Sequence, residues 1–282
     1  MTTVLLVRHG LTAMTGQVLV GWTPGVGLSE RGRAQAEALA ERLVPVKLDA
    51  VVTSPLQRCQ ETAAAVVRRP ASLTSPGPAS EPPASEGPAS RDAARPSATV
   101  STSRPPLAVD DRLGECRYGD WTGRPYGELT KDPLWRVVQE HPSAVVFPGP
   151  EGEALRDTQS RAVAAVRSWN TTLGDSAVWL ACSHGDVIKA IVADALGLHL
   201  DLFQRIVIDP CSVTVIRYTA TRPFVLRVND TGAGPGGDLA DLVAPPARED
   251  RPAGGEGAEG AEEAVGAAGD AFVGGGAGPG SR

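Results

Sequence analysis

Three short segments that follow apolar runs each contain a histidine or an arginine. Residues 8–10 read Arg-His-Gly, residues 54–58 read Ser-Pro-Leu-Gln-Arg, and residues 183–185 read Ser-His-Gly. A neutral imidazole has a reference pKa of about 6.5, so its free nitrogen is a competent nucleophile near pH 7. A guanidinium group binds two phosphate oxygens at once. These residue types suit phosphoryl transfer, in which positioning and charge stabilisation provide most of the catalysis.

The apolar runs before these segments are predicted to be buried strands, because they are short and rich in branched residues. Helical spacing of apolar residues predicts helices between the strands, the first of them capped by Ser29. The predicted strands are 3–8, 50–54, 107–109, 177–183, 212–218 and 224–228, and the predicted helices are 29–43, 56–68, 153–169 and 186–196. This alternation predicts an α/β fold, with a single three-layer α/β/α domain around a mostly parallel, mixed sheet.

An open α/β sheet places its ligands at the carboxyl ends of its strands. Arg8 and His9 follow the first predicted strand, Arg58 follows the second, and His184 follows the fourth. We therefore expect these four side chains to meet at one edge of the sheet. A histidine next to a glycine, as at Gly185, also offers a backbone that a ligand can approach closely. The sequence predicts an anion pocket with a nucleophile inside it.

Two stretches fall outside the globular pattern. Residues 70–106 contain nine prolines and show neither helical nor strand periodicity, which predicts a disordered insertion. Residues 231–282 are rich in glycine, alanine and acids, which predicts a disordered tail. The net charge of −6 belongs to this tail, which has nine acids and three bases, whereas residues 1–230 have 24 of each. The catalytic domain is thus expected to span 1–230 around the insertion.

Composition also bears on partners and location. A neutral body has no clustered basic face for nucleic acid or for anionic lipid. No apolar stretch approaches the roughly 18 residues of a membrane span, and the N-terminal segment lacks the features of a signal peptide. The four cysteines are scattered, as expected in a reducing compartment. We expect a cytoplasmic protein with a small phosphorylated metabolite as its partner; the oligomeric state is left open.

Five ordered blocks make the sequence similar to the histidine phosphatase superfamily, the phosphoglycerate-mutase-like proteins. The blocks are LVRHG at 6–10, GW at 21–22 with LSERG at 28–32, SPLQRCQETA at 54–63, LGECRYGDWTG at 113–123 and SHG at 183–185. The resemblance covers most of 1–217 and implies the phosphoglycerate-mutase-like fold. It also implies a reaction that uses no metal and no cofactor. The histidines themselves show no metal-binding spacing such as HExxH.

The resemblance implies a role for each residue of the central set. His9 becomes phosphorylated, while Arg8, Arg58 and His184 hold the phosphoryl group. Glu115 protonates the leaving oxygen and later activates water. The nearby aspartates are alternative candidates for this acid, and they are Asp110, Asp111 and Asp120.

The resemblance also implies contacts at positions that match phosphate-binding or substrate-binding residues of the family. Thr15 stands where the family usually has a phosphate-binding asparagine, and its hydroxyl is a weaker substitute. Gly185 is expected to contact phosphate through its backbone. Gly21, Trp22 and Tyr118 are expected to contact substrate, the tyrosine because it matches a residue that touches substrate in the mutases.

The family contains phosphatases and mutases, and the sequence favours a phosphatase of a small phosphorylated metabolite. Phosphoglycerate mutases carry an arginine pair and a lysine for the second anionic group of their substrate. After Gly123 this chain offers only Arg124, Lys131 and Arg136, with no adjacent pair. Phosphoglycerate mutase or another phosphomutase is the alternative. A catalytically silent phosphate-binding or interaction module is a more distant one, because both histidines are retained.

Overall fold

A six-stranded mixed sheet forms the centre of the computed structural model, which describes residues 1–68 and 104–232 together with Leu239 and Val243. The strand order is β3-β2-β4-β1-β5-β6. Four neighbouring strands, β3, β2, β4 and β1, run parallel, and β5 pairs antiparallel with both β1 and β6. The strands are β1 (Thr2–Arg8), β2 (Ala50–Thr53), β3 (Leu107–Val109), β4 (Val178–Ser183), β5 (Val213–Tyr218) and β6 (Pro223–Asp230).

Helices cover both faces of this sheet. They are α1 (Glu30–Arg42), α2 (Gln57–Arg68), α3 (Tyr126–Leu129), α4 (Pro133–Glu140), α5 (Leu155–Leu173) and α6 (Gly185–Leu196). Ser29 caps α1 by accepting a hydrogen bond from the Gly32 amide at 3.1 Å, as side-chain oxygens at this position commonly do. α6 ends at Gly197, whose left-handed φ of 67° suits glycine.

Two apolar clusters lie on opposite faces of the sheet, because successive side chains of a strand point to opposite sides. Val4 and Leu6 of β1 pack with the cluster that includes α5 and α6. Leu5 and Val7 pack with the cluster that includes α1 and α2. All of β1 is buried, as expected for a central strand covered on both faces. The prediction of a three-layer α/β/α domain with a mostly parallel, mixed sheet is confirmed.

The predicted elements are present, with bounds that differ by a few residues. The helix predicted at 153–169 begins at Leu155 and continues to Leu173. Two short helices, α3 and α4, were not predicted, because four and eight residues give too little periodicity to recognise. The local signal for α4 is its start, where Asp132 accepts from the Leu134 amide at 2.9 Å and Pro133 follows.

Most of the predicted insertion 70–106 and tail 231–282 lies outside the described residues, and both remain predictions. The last residues of the predicted insertion lead into the amino end of β3. There the Val51 amide donates a hydrogen bond to the carbonyl oxygen of Pro106 at 2.9 Å. This is the edge of the sheet opposite the carboxyl ends of the parallel strands. In the tail, Leu239 is buried and Val243 is partly buried against the cluster on the α1 and α2 side.

Candidate active site

The register of the sheet brings the predicted segments to one edge. Arg8 at the end of β1 pairs with Ser183 at the end of β4, and Thr53 at the end of β2 pairs with Cys182. The amide of His9 continues this pairing by donating to the Ser183 carbonyl at 3.0 Å. Residues that are more than a hundred positions apart in sequence are therefore neighbours at the carboxyl ends of the strands.

His9 is buried and held in one tautomer. Its Nδ1 lies 2.8 Å from the carbonyl oxygen of Gly10, which only accepts, so Nδ1 carries the proton. Nε2 therefore keeps its lone pair, which accepts from Nε of Arg58 at 3.2 Å. Burial lowers the pKa of His9 well below 6.5, and the neighbouring charges of Arg58 and Arg8 lower it further. The imidazole is neutral at physiological pH, with its free nitrogen directed toward the arginine.

Two buried guanidinium groups flank His9. Arg8 donates through Nη1 to the Ile208 carbonyl at 2.7 Å, and Arg58 donates through Nη2 to the Gly21 carbonyl at 2.8 Å. These contacts fix each group but leave other N–H donors available, since a guanidinium has five. Nε of Arg8 is buried and has no hydrogen-bond partner within the described part of the chain. Two buried cations with spare donors are suited to binding an anion.

His184 lies behind this pair and is fully buried. Its Nε2 is 2.8 Å from Oγ of Ser54, and its Nδ1 is 3.3 Å from Nη2 of Arg58. Because a guanidinium only donates, Nδ1 accepts and Nε2 carries the ring proton. Burial lowers the pKa of His184 well below 6.5, with Arg58 and His9 adding to the effect. This histidine is therefore neutral near pH 7, and its ring centroid lies 5.2 Å from that of His9.

Glu115 supplies a carboxyl group that holds a proton near neutral pH. It is 3% exposed, Oε1 accepts from the Cys116 amide at 3.0 Å, and Oε2 lies 3.8 Å from Nδ1 of His184. Burial raises the pKa of Glu115 to about 7, and the negative charge of Asp186 contributes in the same direction. A carboxylic acid with this pKa can both give and accept a proton at physiological pH.

The alternative acids lie elsewhere. Asp110 bonds to Arg112 and to the indole of Trp169; although burial alone would raise its pKa, these hydrogen bonds lower it. Asp111 starts a short 3₁₀ helix, and Asp120 lies within another, with its carboxyl group close to Gly149. None of the three aspartates is among the lining residues of the cleft, whereas Glu115 is.

An open cleft with about 320 Å³ of empty space, part of it solvent, lies over these groups. Its mouth is formed by the loop after β1, which contributes hydroxyl and aliphatic side chains. Oγ1 of Thr15 accepts from the Thr12 amide at 2.9 Å, which fixes the turn of this loop. The lining residues are Arg8, His9, Thr12, Thr15, Gly16, Val18, Val20, Gly21, Arg58 and Glu115.

Four residues predicted to contact phosphate or substrate lie outside this lining, namely His184, which lies behind Arg58, and three others. Gly185 is buried at the start of α6. Trp22 donates from its indole to the carbonyl of Glu115 at 2.6 Å and so holds the backbone of the acid. Tyr118 is fully buried, and its hydroxyl donates to Oδ2 of Asp186 at 2.8 Å. Thr15 and Gly21 do line the cleft, Gly21 with a φ of 50° that suits glycine.

Sequence reasoning did not assign a role to Ser54, Asp186 or Lys189. Ser54 orients His184 from the end of β2. Asp186 and Lys189 are buried on α6, although neither residue type is commonly buried. The signal that could have revealed Asp186 and Lys189 is their spacing, an acid and a base three residues apart in a helix that is mostly apolar.

Within residues 1–68 and 104–232, no group of three or more histidine, cysteine, aspartate or glutamate side chains is arranged to hold a metal ion. No helix of these ranges is long and apolar enough to cross a membrane.

A neutral imidazole between buried guanidinium groups is suited to phosphoryl transfer, so fold and cleft together define an α/β phosphoryl-transfer enzyme. The chain belongs to the histidine phosphatase superfamily, because the profile of its branch 1 matches residues 4–75 and 84–231. The expectation drawn from the sequence motifs is thereby confirmed.

Several relatives share part of this sequence, and the solved structure of one of them shares the fold. Phosphoserine phosphatase 1 of Hydrogenobacter thermophilus is 26% identical over 242 residues, which cover 82% of this chain and 93% of that protein. The solved structure of YhfR from Bacillus stearothermophilus has a TM-score of 0.63 at 27% identity, covering 82% of this chain and 98% of YhfR. Uncharacterized protein Rv0525 of Mycobacterium tuberculosis is 47% identical over 68 residues, 24% of this chain, and the match spans only 34% of that relative. The chain is a phosphatase or a phosphomutase.

Proposed function

We propose that this enzyme is a phosphatase that hydrolyses a small phosphorylated metabolite through a phosphohistidine on His9. The observation that carries the proposal is the orientation of this imidazole. Its Nδ1 is tied to the Gly10 carbonyl, and its Nε2 lone pair faces the cleft beside Arg58. A nucleophile held in one tautomer between two cations requires no separate base for attack on phosphorus.

In the first half-reaction, Nε2 of His9 attacks phosphorus while the bond from phosphorus to the leaving oxygen breaks. Arg8 and Arg58 donate hydrogen bonds to the non-bridging oxygens, on which negative charge is spread in the transition state. Glu115 transfers its proton to the leaving oxygen, which departs as a neutral alcohol. The negative charge of the substrate's phosphate group also favours protonation of Nδ1 of His184. The protonated ring then provides a further hydrogen-bond donor.

In the second half-reaction, a water molecule attacks phosphorus and the phosphorus–nitrogen bond breaks. Glu115, now a carboxylate, accepts a proton from this water. His9 recovers its neutral form and inorganic phosphate leaves. One carboxyl group serves both halves, since a pKa of about 7 makes either protonation state accessible.

The surroundings of the cleft support a phosphatase over a phosphoglycerate mutase. Arg124 pairs with Glu128 at 3.6 Å, and Arg136 pairs with Glu140 at 2.9 Å. Neither arginine, nor Lys131, is among the residues that line the cleft. The mouth of the cleft has hydroxyl and aliphatic groups instead, which suit an uncharged leaving group better than a second anion.

Three measurements test the proposal, with EDTA present throughout. Wild-type enzyme mixed briefly with radiolabelled substrate should give an acid-labile, base-stable phosphoenzyme, and His9→Ala should give none and lose turnover. His141→Ala and His199→Ala are matched controls with full activity, since each of these side chains is 68% exposed. A panel of phosphomonoesters should release phosphate, whereas 3-phosphoglycerate should not be isomerised.

An active His9→Ala variant would exclude the phosphohistidine. Efficient isomerisation of 3-phosphoglycerate would instead identify a mutase. A wild-type enzyme that forms no phosphoenzyme and releases no phosphate from any panel member would favour a silent binding module.

A further inference from the structure

Arg161 of α5 uses its whole guanidinium group in contacts within the protein. Nε and Nη2 donate to the two carboxylate oxygens of Glu153 at 2.6 and 2.9 Å. Nη1 donates to the carbonyl oxygens of Arg112 and Gly114 at 2.7 and 2.8 Å, and Nη2 also donates to that of Glu115 at 3.0 Å. A guanidinium has five N–H donors, and these contacts use all of them. Arg161 therefore has no donor left for a phosphate group, and its role lies in what it holds.

The segment that Arg161 holds carries the candidate acid. Residues 114–117 follow a short 3₁₀ helix and belong to no helix or strand of the described chain. Buried backbone groups in such a segment need partners from side chains. The carbonyl of Glu115 has two of them, Arg161 and the indole of Trp22, which donates at 2.6 Å. Side chains thus fix this segment where a strand or helix would fix itself.

Glu153 connects the far end of the same segment to Arg161. Its Oε2 accepts from the Arg117 amide at 3.1 Å, and its own amide donates to the Arg117 carbonyl at 2.8 Å. The side chains of Arg161 and Glu153 are only 22% and 14% exposed, and their contact is bidentate. Such a pair has a defined geometry, unlike most exposed ion pairs. The two side chains together hold the backbone on both sides of Glu115.

The carboxyl group of Glu115 is fixed to this backbone. Its Oε1 accepts from the Cys116 amide at 3.0 Å. This N–H and the Glu115 carbonyl belong to one peptide unit, which is planar. Arg161 binds the carbonyl end of that unit, and the amide end binds the carboxyl group. A displacement of the peptide would therefore displace the carboxyl group as well.

We propose that Arg161, held by Glu153, is a positioning residue that orients the carboxyl group of Glu115 toward the leaving oxygen. A general acid must lie within hydrogen-bond reach of the atom that it protonates. Arg161 is not among the residues that line the cleft, so it acts through the peptide of Glu115. This inference rests on the proposed function, because it concerns the acid of that reaction.

The test is single-turnover phosphorylation of His9 by two substrates. Arg161→Lys keeps the positive charge but has three donors and no planar fork, so it cannot bind Glu153 and three carbonyl groups together. Phosphorylation by an alkyl phosphate should slow by about tenfold or more, as expected for a displaced catalytic group. Phosphorylation by p-nitrophenyl phosphate should stay within about twofold of wild type, because p-nitrophenolate leaves without a proton.

Arg167→Lys is the matched control, since it makes the same change on the same helix. The side chain of Arg167 is 64% exposed and pairs with Asp194 at 3.1 Å. Its rates with both substrates should equal those of wild type. Glu153→Gln removes the charge that holds Arg161 but keeps one acceptor oxygen, so it should show the same contrast between substrates at a smaller size.

A double variant separates positioning from general destabilisation. Adding Arg161→Lys to Glu115→Gln should change the rate with the alkyl phosphate by no more than about twofold, because residues that act as a unit give non-additive losses. A merely structural role predicts a further loss of the same size as in the single variant.

Equal losses with both substrates in Arg161→Lys would overturn the inference, as would unchanged rates or a full further loss in the double variant. If Arg161→Lys does not fold, Glu153→Gln provides the same comparison. Glu115→Gln distinguishes the two levels of the argument. If it shows the contrast between substrates and Arg161→Lys does not, the inference alone fails; if it lacks the contrast, the proposed role of Glu115 is wrong and the inference fails with it.

Discussion

At the scale of single residues, the surroundings of His9 and Glu115 set the protonation state of each side chain. Burial and two cations keep His9 neutral, whereas burial and a neighbouring anion keep Glu115 protonated. The pKa of His9 is lowered and that of Glu115 is raised to about 7, so each change favours the uncharged side chain. Neutral His9 and protonated Glu115, the two reactive forms, therefore coexist below about pH 7. The rate of phosphorylation should fall as pH rises through this value, since Glu115 then loses its proton.

Glu115→Gln should slow phosphorylation of His9 by an alkyl phosphate by roughly a hundredfold or more, the usual contribution of a general acid. The same change should have a small effect with p-nitrophenyl phosphate, because p-nitrophenolate leaves without a proton. The alkaline limb of the alkyl substrate should also disappear. Single-turnover mixing measures this step directly. Equal losses with both substrates would show that Glu115 is not the acid and would direct attention to the aspartates.

At the scale of elements, α1 fixes the loop that carries His9. The Leu11 carbonyl accepts from both the amide and the hydroxyl of Ser29, at 2.9 and 3.1 Å. Gly32, in the first turn of α1, lies so close that a Cβ atom there would overlap the Leu11 carbonyl oxygen. Contact between backbones, which only glycine permits here, thus aligns the end of β1 with the cleft.

Gly32→Ala should lower the free energy of unfolding by about 1–3 kcal/mol, as overpacking at a rigid contact does. It should also reduce kcat/KM, because the displaced loop carries the nucleophile. Gly127→Ala is the matched control: it lies in α3, and no atom of the described chain is within 4 Å of its added Cβ. Urea unfolding should show unchanged or slightly higher stability for this control. A Gly32→Ala variant as stable as wild type would contradict the close packing.

At the scale of the whole molecule, the described residues that lead from the insertion into β3 and the cleft lie at opposite edges of the sheet. β3 runs parallel to β2 and pairs Leu107 with Val51, so the chain enters β3 at the amino edge. The cleft lies at the carboxyl edge, where β1 and β4 end. Chain length added at the amino edge costs little in stability, about 0.6 kcal/mol per doubling of a loop.

Replacing residues 70–103 with a short Gly/Ser loop should leave kcat and KM within about twofold of wild type, since loop length has only this logarithmic cost. Steady-state kinetics on the best panel substrate measures the effect. Extending the deletion through Val109 is the informative comparison, because it removes β3 and should destabilise the enzyme. A large rise in KM for the shorter deletion would mean that the insertion reaches over the cleft.

The sequence by itself determined the order of the strands and of the four longer helices, the three-layer fold, the family, and the residues at the strand ends. These are properties of contiguous residues, because strand and helix periodicity and strand-end motifs are local patterns. Strand-end motifs indicated Arg8, His9, Arg58 and His184, whereas Glu115 came from the resemblance to the family. The structure places these five side chains close together, and their roles remain predictions.

Only the tertiary structure decided the tautomers and the pKa shifts of these residues. The tautomer of His9 depends on the Gly10 carbonyl. The raised pKa of Glu115 depends first on its burial and then on Asp186, which is 71 positions further along the chain. The structure likewise pairs the hydroxyl of Tyr118 with Asp186, 68 positions away, a contact that no spacing in the sequence predicts. The physical reason is that burial and electrostatic interaction depend on distance in space, which contiguous residues do not encode.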